Sequence, residues 1–165
     1  MSMEIRLVRI DDRLIHGQVA TVWTKTTKAN RILVVSDSVA KDELRKTLLK
    51  QAVPPGVKAN VITVKKMVDI THDPRFSGFK AMLLFTNPED VVKVVKNHAD
   101  IKTINIGSMS YAEGKKMITN AVAVDQNDVD AFKYLHEKGI ELEIRKVASD
   151  SKVNMMKLLK KEGLV

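Results

Sequence analysis

Ile5-Arg6-Leu7-Val8-Arg9-Ile10-Asp11-Asp12-Arg13-Leu14-Ile15-His16-Gly17-Gln18 opens as a largely apolar run and closes in a turn that crowds two carboxylates, a guanidinium and an imidazole together. The first six residues predict a buried strand, and a helix is expected to begin near Gly17. A strand handing over to a helix is the unit from which an α/β chain is built. Such a turn can be made with Gly, Asn or Ser, so four ionisable groups at the strand end point to the handling of a charged group.

Outward from this segment the unit repeats. Short apolar runs at Ile32-Leu33-Val34-Val35, Val61-Ile62, Ala81 to Phe85, Thr103 to Ile106, Ala121 to Val124 and Leu142 to Ile144 read as strands buried on both faces. Helical patterns lie between them. One runs from Val39 to Ala52 with Leu44 and Leu48 a turn apart. A second runs from Glu89 to Asn97, with Asn87 as N-cap, Pro88 at its first position and a stripe of Val91, Val92 and Val95. A third starts at Asp125, buries Val129, Phe132 and Leu135, and stops at Gly139. The last follows Ser149 or Ser151, with Val153, Met155, Met156 and Leu159 expected inside. Trp23 reads as a half-buried packing anchor. The alternation predicts the α/β class: an open, mainly parallel twisted sheet with helices on both faces and an antiparallel edge at its C-terminal end.

At 165 residues and 44% hydrophobic the chain suffices for one core, and no Ser/Gly/Pro-rich linker divides it, so a single domain over residues 1–165 is expected. No apolar stretch reaches the roughly 20 residues that span a bilayer. Glu4 and Arg6 interrupt the first apolar run, unlike a secretory signal, so a cytosolic or at most peripheral chain is expected. Cysteine is absent, which excludes disulfides and thiolate chemistry, and no His and carboxylate cluster has metal-ligand spacing. The formal charge of +8 favours acidic partners. At 4% aromatic content and without an RRM, KH or zinc-finger signature, nucleic acid is not expected among them. Neither a Walker A nor a G-x-G-x-x-G pattern occurs, so a nucleotide would need an unconventional site.

In an open parallel sheet, ligands gather beyond the carboxyl ends of the strands. The loops that fall there are Asp11 to Gly17, Ser36-Asp37-Ser38, Thr86-Asn87 and Gly107-Ser108-Met109-Ser110. His16 beside Arg13, in a loop opening a helix, has the makings of a phosphoryl acceptor. A neutral ring nitrogen attacks, while the guanidinium and helix N–H groups hold the transferred oxygens. Asp11 or Asp12 would order the ring or tether Arg13, and Gly17 would admit the donor. The bland reading makes His16 a helix-start residue whose Asp neighbours cap the helix and pair with Arg9 or Arg13, and on the residues alone the two weigh evenly. A non-catalytic crevice holding a small anion or nucleotide as a regulatory signal also fits. Gly107-Ser108 could present an anion-binding nest after its strand.

The segment Arg9 to Val19, continuing through Trp23-Thr24-Lys25, closely resembles the start of the IIB component of the mannose/fructose/sorbose class of bacterial phosphoenolpyruvate-dependent sugar phosphotransferase systems. Ser36 to Ala40 and Asn105 to Met109 resemble a later Asp-containing turn and a glycine-containing loop of that family. The resemblance implies that His16 is the phosphohistidine intermediate, loaded by a IIA component and discharged onto a sugar arriving through the IIC and IID membrane subunits. It gives Arg13 the phosphoryl clamp and Asp11 the ordering of the loop. Gly17, Asp37, Gly107 and Ser108 become phosphoryl-binding neighbours, with Nδ1 the accepting nitrogen. Ser108 stands where the family often has a second Gly, which matters if that position is left-handed. No cofactor or metal is called for, and a homo-oligomer is left open.

Overall fold

The computed structural model describes residues 2–165, with Gln18 and Val19 described by backbone alone. Its centre is a seven-stranded sheet in the order β3-β2-β4-β1-β5-β8-β9. The strands are β1 (Glu4–Asp11), β2 (Arg31–Val35), β3 (Lys58–Ile62), β4 (Lys80–Phe85), β5 (Thr103–Ser108), β8 (Glu141–Ile144) and β9 (Val153–Asn154). All pairings are parallel except β8–β9, so the expected antiparallel edge is present. The short strands β6 (Lys116–Met117) and β7 (Ala123–Val124) form a separate antiparallel ribbon. The strand expected over Ala121 to Val124 therefore shrinks to two residues outside the main sheet.

Strand alternation sorts the apolar side chains into two cores. Leu33, Val35, Leu83, Phe85, Ile104 and Ile106 face α4 (Val64–Thr71), α5 (Pro88–Lys96), α6 (Gln126–Glu137) and α7 (Met155–Lys161). Ile32, Val34, Met82 and Leu84 face the other way, against Trp23 of α1 (Gly17–Thr27), Val39 of α2 (Asp37–Ala40) and Leu49 of α3 (Glu43–Gln51). Continuous apolar runs are what this two-sided burial requires.

Several expectations are corrected. The helix read from Val39 to Ala52 is two helices, broken where Asp42 caps α3 through Arg45 N–H. Leu44 and Leu48 are 71% and 56% exposed, and it is Leu49 that turns inward. In α5 the buried valines are Val91 and Val94, with Val92 and Val95 at the margin. Val153 is exposed on the edge strand β9, because Asn154 caps α7 and the helix starts later than expected. Met155 and Leu159 are buried, and Met156 is half-buried. Helix α4 was missed, although Thr63 caps it and Val64, Met67 and Ile70 recur at helical spacing. No helix among the described residues is long and apolar enough to cross a membrane.

Candidate functional site

Strand β1 lies centrally between β4 and β5, so the loop after it, Asp12 to His16, opens at the carboxyl edge of the sheet. Two apolar side chains hold this charged loop down. Leu14 and Ile15 are 2% and 3% exposed and pack with Trp23. Leu14 takes φ +62°, closing a turn in which its N–H donates to the Asp11 carbonyl at 2.9 Å. A left-handed leucine is strained, and such strain gathers at functional sites where packing enforces it.

Asp11 organises the site. It is fully buried, and its Oδ1 accepts from Arg13 N (3.1 Å) and Arg13 Nε (3.2 Å). Oδ2 receives Arg9 Nη2 (3.2 Å) and Arg13 Nη2 (3.3 Å), and lies 3.2 Å from His16 Nε2. Burial pushes this carboxyl up, but the Arg13 hydrogen bond, the Arg9 charge and His16 outweigh it and hold Asp11 below the ordinary carboxylate range. An ionised carboxylate only accepts, so Nε2 carries a hydrogen, and in the neutral ring the lone pair is left on Nδ1.

His16 occupies the N-cap of α1 in extended conformation, yet its side chain makes no cap hydrogen bond. Among the described residues the other six α-helices are each capped by a side chain, from Ser36, Asp42, Thr63, Asn87, Asp125 and Asn154. Helix α1 thus begins with neither a side-chain cap nor an acidic residue in its first turn, beside a ring that is 24% exposed. A helix N-terminus left this way favours an anion. Gly17 opens the helix at φ +43°, and beyond its chain neighbours and its own helix backbone nothing lies within 4 Å of where a Cβ would stand, which suits close approach.

The remaining sequence-predicted residues fall elsewhere. Asp12 does not cap the helix. Its Oδ2 accepts from Ser110 N (2.6 Å), its Oδ1 from Ser108 Oγ (3.4 Å), and its carbonyl from Arg45 Nη2 (2.9 Å), so it ties the loop to β5 and α3. Gly107 and Ser108 lie within β5, not in a turn after it. A Cβ at 107 would stand 2.0 Å from Arg9 Nη2, so the glycine makes room for a guanidinium. Ser108 is not left-handed; among the described residues, positive φ outside glycine occurs at Leu14, Lys28 and His98. Asp37 accepts from Val64 N (2.9 Å) and is turned toward the start of α4.

Sequence reasoning gave Arg9 only the bland pairing role. It is 1% exposed, and the signal was an arginine inside an apolar strand. Trp23 is 4% exposed, more buried than expected, with Arg9 5.4 Å and Arg145 5.7 Å from its ring centre.

The loop thus sets a fully buried carboxylate against one ring nitrogen of a histidine at an uncapped helix start. Residues 5–165 match the family described as the PTS system sorbose subfamily IIB component. The chain belongs to this family. It is 54% identical over 159 residues to the mannose-specific EIIAB component of Escherichia coli K12, covering 96% of this chain and 49% of that protein. The chain therefore spans about half the length of that relative. It is 49% identical to the sorbose-specific EIIB component of Klebsiella pneumoniae, covering 93% of this chain and 94% of the relative. The crystal structure of the IIBSor domain of the sorbose permease from Klebsiella pneumoniae superposes with a TM-score of 0.94 at 47% identity, covering 96% of this chain and 98% of that one.

Proposed function

We propose that this chain is a phosphohistidine carrier and sugar phosphotransferase subunit, a single IIB domain over residues 1–165 acting at the inner face of the membrane through partner subunits. A IIA component donates the phosphoryl group, and a sugar arriving through IIC and IID receives it. The observation that carries this reading is the Asp11–His16 contact of 3.2 Å at the uncapped start of α1.

The steps follow from that geometry. The resemblance gives the IIA donor a phosphohistidine, and the Nδ1 lone pair attacks its phosphorus as the N–P bond to the IIA histidine breaks. Positive charge develops on the His16 ring, and Asp11 faces the Nε2–H that carries part of it. Arg13, 43% exposed, is able to swing toward the transferred oxygens while its backbone N–H stays on Asp11. The Gly17 end of α1 supplies N–H groups to the same oxygens. In the second transfer the sugar hydroxyl oxygen bonds phosphorus, the bond to Nδ1 breaks, and the hydroxyl proton is released to solvent. The ring returns to its neutral Nε2–H form. Positioning and electrostatics suffice for this chemistry, so no cofactor is called for.

The test is to incubate the chain with phosphoenolpyruvate, the general phosphocarrier proteins and a cognate IIA, then map the acid-labile phosphate. Label is expected on His16 and is expected to vanish in His16→Ala. Label elsewhere, or label retained in that variant, overturns the reading, and saturable anion binding without covalent phosphate would favour a regulatory module.

A further inference from the structure

The second core changes character halfway across the sheet. Strand register places Val61, Val34, Leu84, Arg9, Asn105, Glu143 and Asn154 opposite one another in a single row. The row is apolar as far as β4 and polar from β1 onward. Arg9, Asn105 and Glu143 are 1%, 0% and 6% exposed, and burying such a set is costly unless each group finds a partner.

Each side chain does through some of its atoms, with Arg9 Nε and Glu143 Oε2 left without a hydrogen bond among the described residues, and the bonds that form run in one sense only. Asn105 Nδ2 donates to Glu143 Oε1 at 3.3 Å, and Asn105 Oδ1 accepts from Arg9 Nη1. A carboxylate only accepts and a guanidinium only donates, so the amide between them has one workable orientation. Arg9 Nη1 also reaches the Arg145 carbonyl (2.7 Å), and Nη2 reaches the Lys146 carbonyl (2.8 Å) and Asp11 Oδ2. Gly107 leaves room for the guanidinium to lie against β5. Lys152 Nζ stands 3.4 Å from Glu143 Oε2 at the far end. The row thus runs from a surface lysine to the carboxylate oxygen that faces His16 Nε2.

We propose that Asn105 and Glu143 are positioning residues which, through Arg9, lock the Asp11 carboxylate against His16 and so select the ring nitrogen left free for phosphoryl transfer. The part of this that concerns transfer rests on the carrier reading. Neither residue touches the reacting atoms. Their contribution is to stop the guanidinium from turning away from Asp11, and thereby to keep the His16 hydrogen on Nε2.

The test exchanges the polarity of the pair at constant charge. Asn105→Asp alone sets two buried carboxylates together with no donor between them, so their repulsion displaces the side chain that holds the Arg9 guanidinium on Asp11. Adding Glu143→Gln restores an acceptor toward Arg9 and a donor between the two side chains. The first readout is 15N NMR of the His16 ring at a pH where the ring is neutral, which needs no phosphoryl donor. The wild type is expected to show one tautomer, with hydrogen on Nε2, and Asn105→Asp a mixture of both. The second readout is transfer from phosphorylated IIA per folded molecule. It is expected to fall about tenfold in Asn105→Asp, the scale on which outer-shell partners act at metal sites, and to return to within about twofold in the double variant. Asn105→Leu should match Asn105→Asp in both readouts.

A wild-type tautomer pattern and wild-type transfer in a folded Asn105→Asp or Asn105→Leu overturn the proposal and leave the row a purely structural network. A double variant no better than Asn105→Asp also overturns it, even if Asn105→Leu fails to fold. If the wild type takes no label on His16, the carrier reading fails, while the tautomer measurement still decides the role of the row.

Discussion

At the scale of the residue, Asp11 carries opposite burdens. Full burial disfavours its charge, and three neighbours restore it, with the net result that its carboxyl lies below the ordinary range. A depressed carboxyl contributes stability that is present above its unfolded pKa of about 3.9 and is lost as pH falls through the folded value. Asp11→Asn is expected to cost about 3–5 kcal/mol at pH 7, because Arg9 remains buried without its counter-charge. The gap should narrow below about pH 4, where the wild type surrenders the same interaction. Urea unfolding of both proteins at pH 7 and pH 3 checks this; Asp90 and Asp128, pushed up by burial, are common to the two and cancel. Asp11, Arg13 and His16 were legible because six residues of sequence contain all three. Arg9, Asn105 and Glu143 were not legible as a unit. Ninety-six residues separate the first two, and only strand register brings them together.

At the scale of the element, the sequence located strands better than helix faces. Six of the seven main-sheet strands were marked by short apolar runs, since burial on both faces, as in β2 and β4, leaves little else to choose from, and the exposed edge strand β3 showed only Val61-Ile62. Helix α3 shows where such reading fails. Leu44 and Leu48 are four apart and suggest an inward stripe, but the apolar side chain that α3 buries among the described residues is Leu49, near its C-terminal end, and Asp42 sets the phase. Leu48→Ala is therefore expected to change stability by no more than about 0.5 kcal/mol, the usual surface range. Leu49→Ala, 6% exposed in the wild type, should cost about 2–4 kcal/mol. Denaturant midpoints at equal m-values separate the two, and a larger loss at Leu48 would mean that its exposed face is covered. The strands β6 and β9 have two residues each, too short for any periodicity to register, and β7 was read at twice its length.

At the scale of the whole molecule, a surplus of eight positive charges is spread over a chain whose proposed task is to meet two partners in turn. Part of it is placed at the site. Arg13 is exposed on the β1 loop, Arg45 of α3 holds the Asp12 carbonyl, and Lys146 is exposed after β8 with its carbonyl on Arg9. Cations carried by three separate elements thus ring the carboxyl edge where His16 opens. Such a rim steers an acidic partner by long-range attraction, and salt screens it, with a Debye length falling from about 30 Å at 0.01 M to about 3 Å at 1 M. The second-order rate of phosphoryl transfer from IIA should therefore drop by roughly tenfold or more across that range, within the span electrostatic steering covers. The first-order step inside the complex should change little, because Asp11 and Arg9 are shielded from solvent. Lys146→Gln is expected to flatten the salt dependence while leaving the fold and the His16 loop intact, since only the Lys146 carbonyl engages Arg9. Stopped-flow transfer measurements against ionic strength decide it: association that ignores salt would show that the charge surplus serves something other than this encounter.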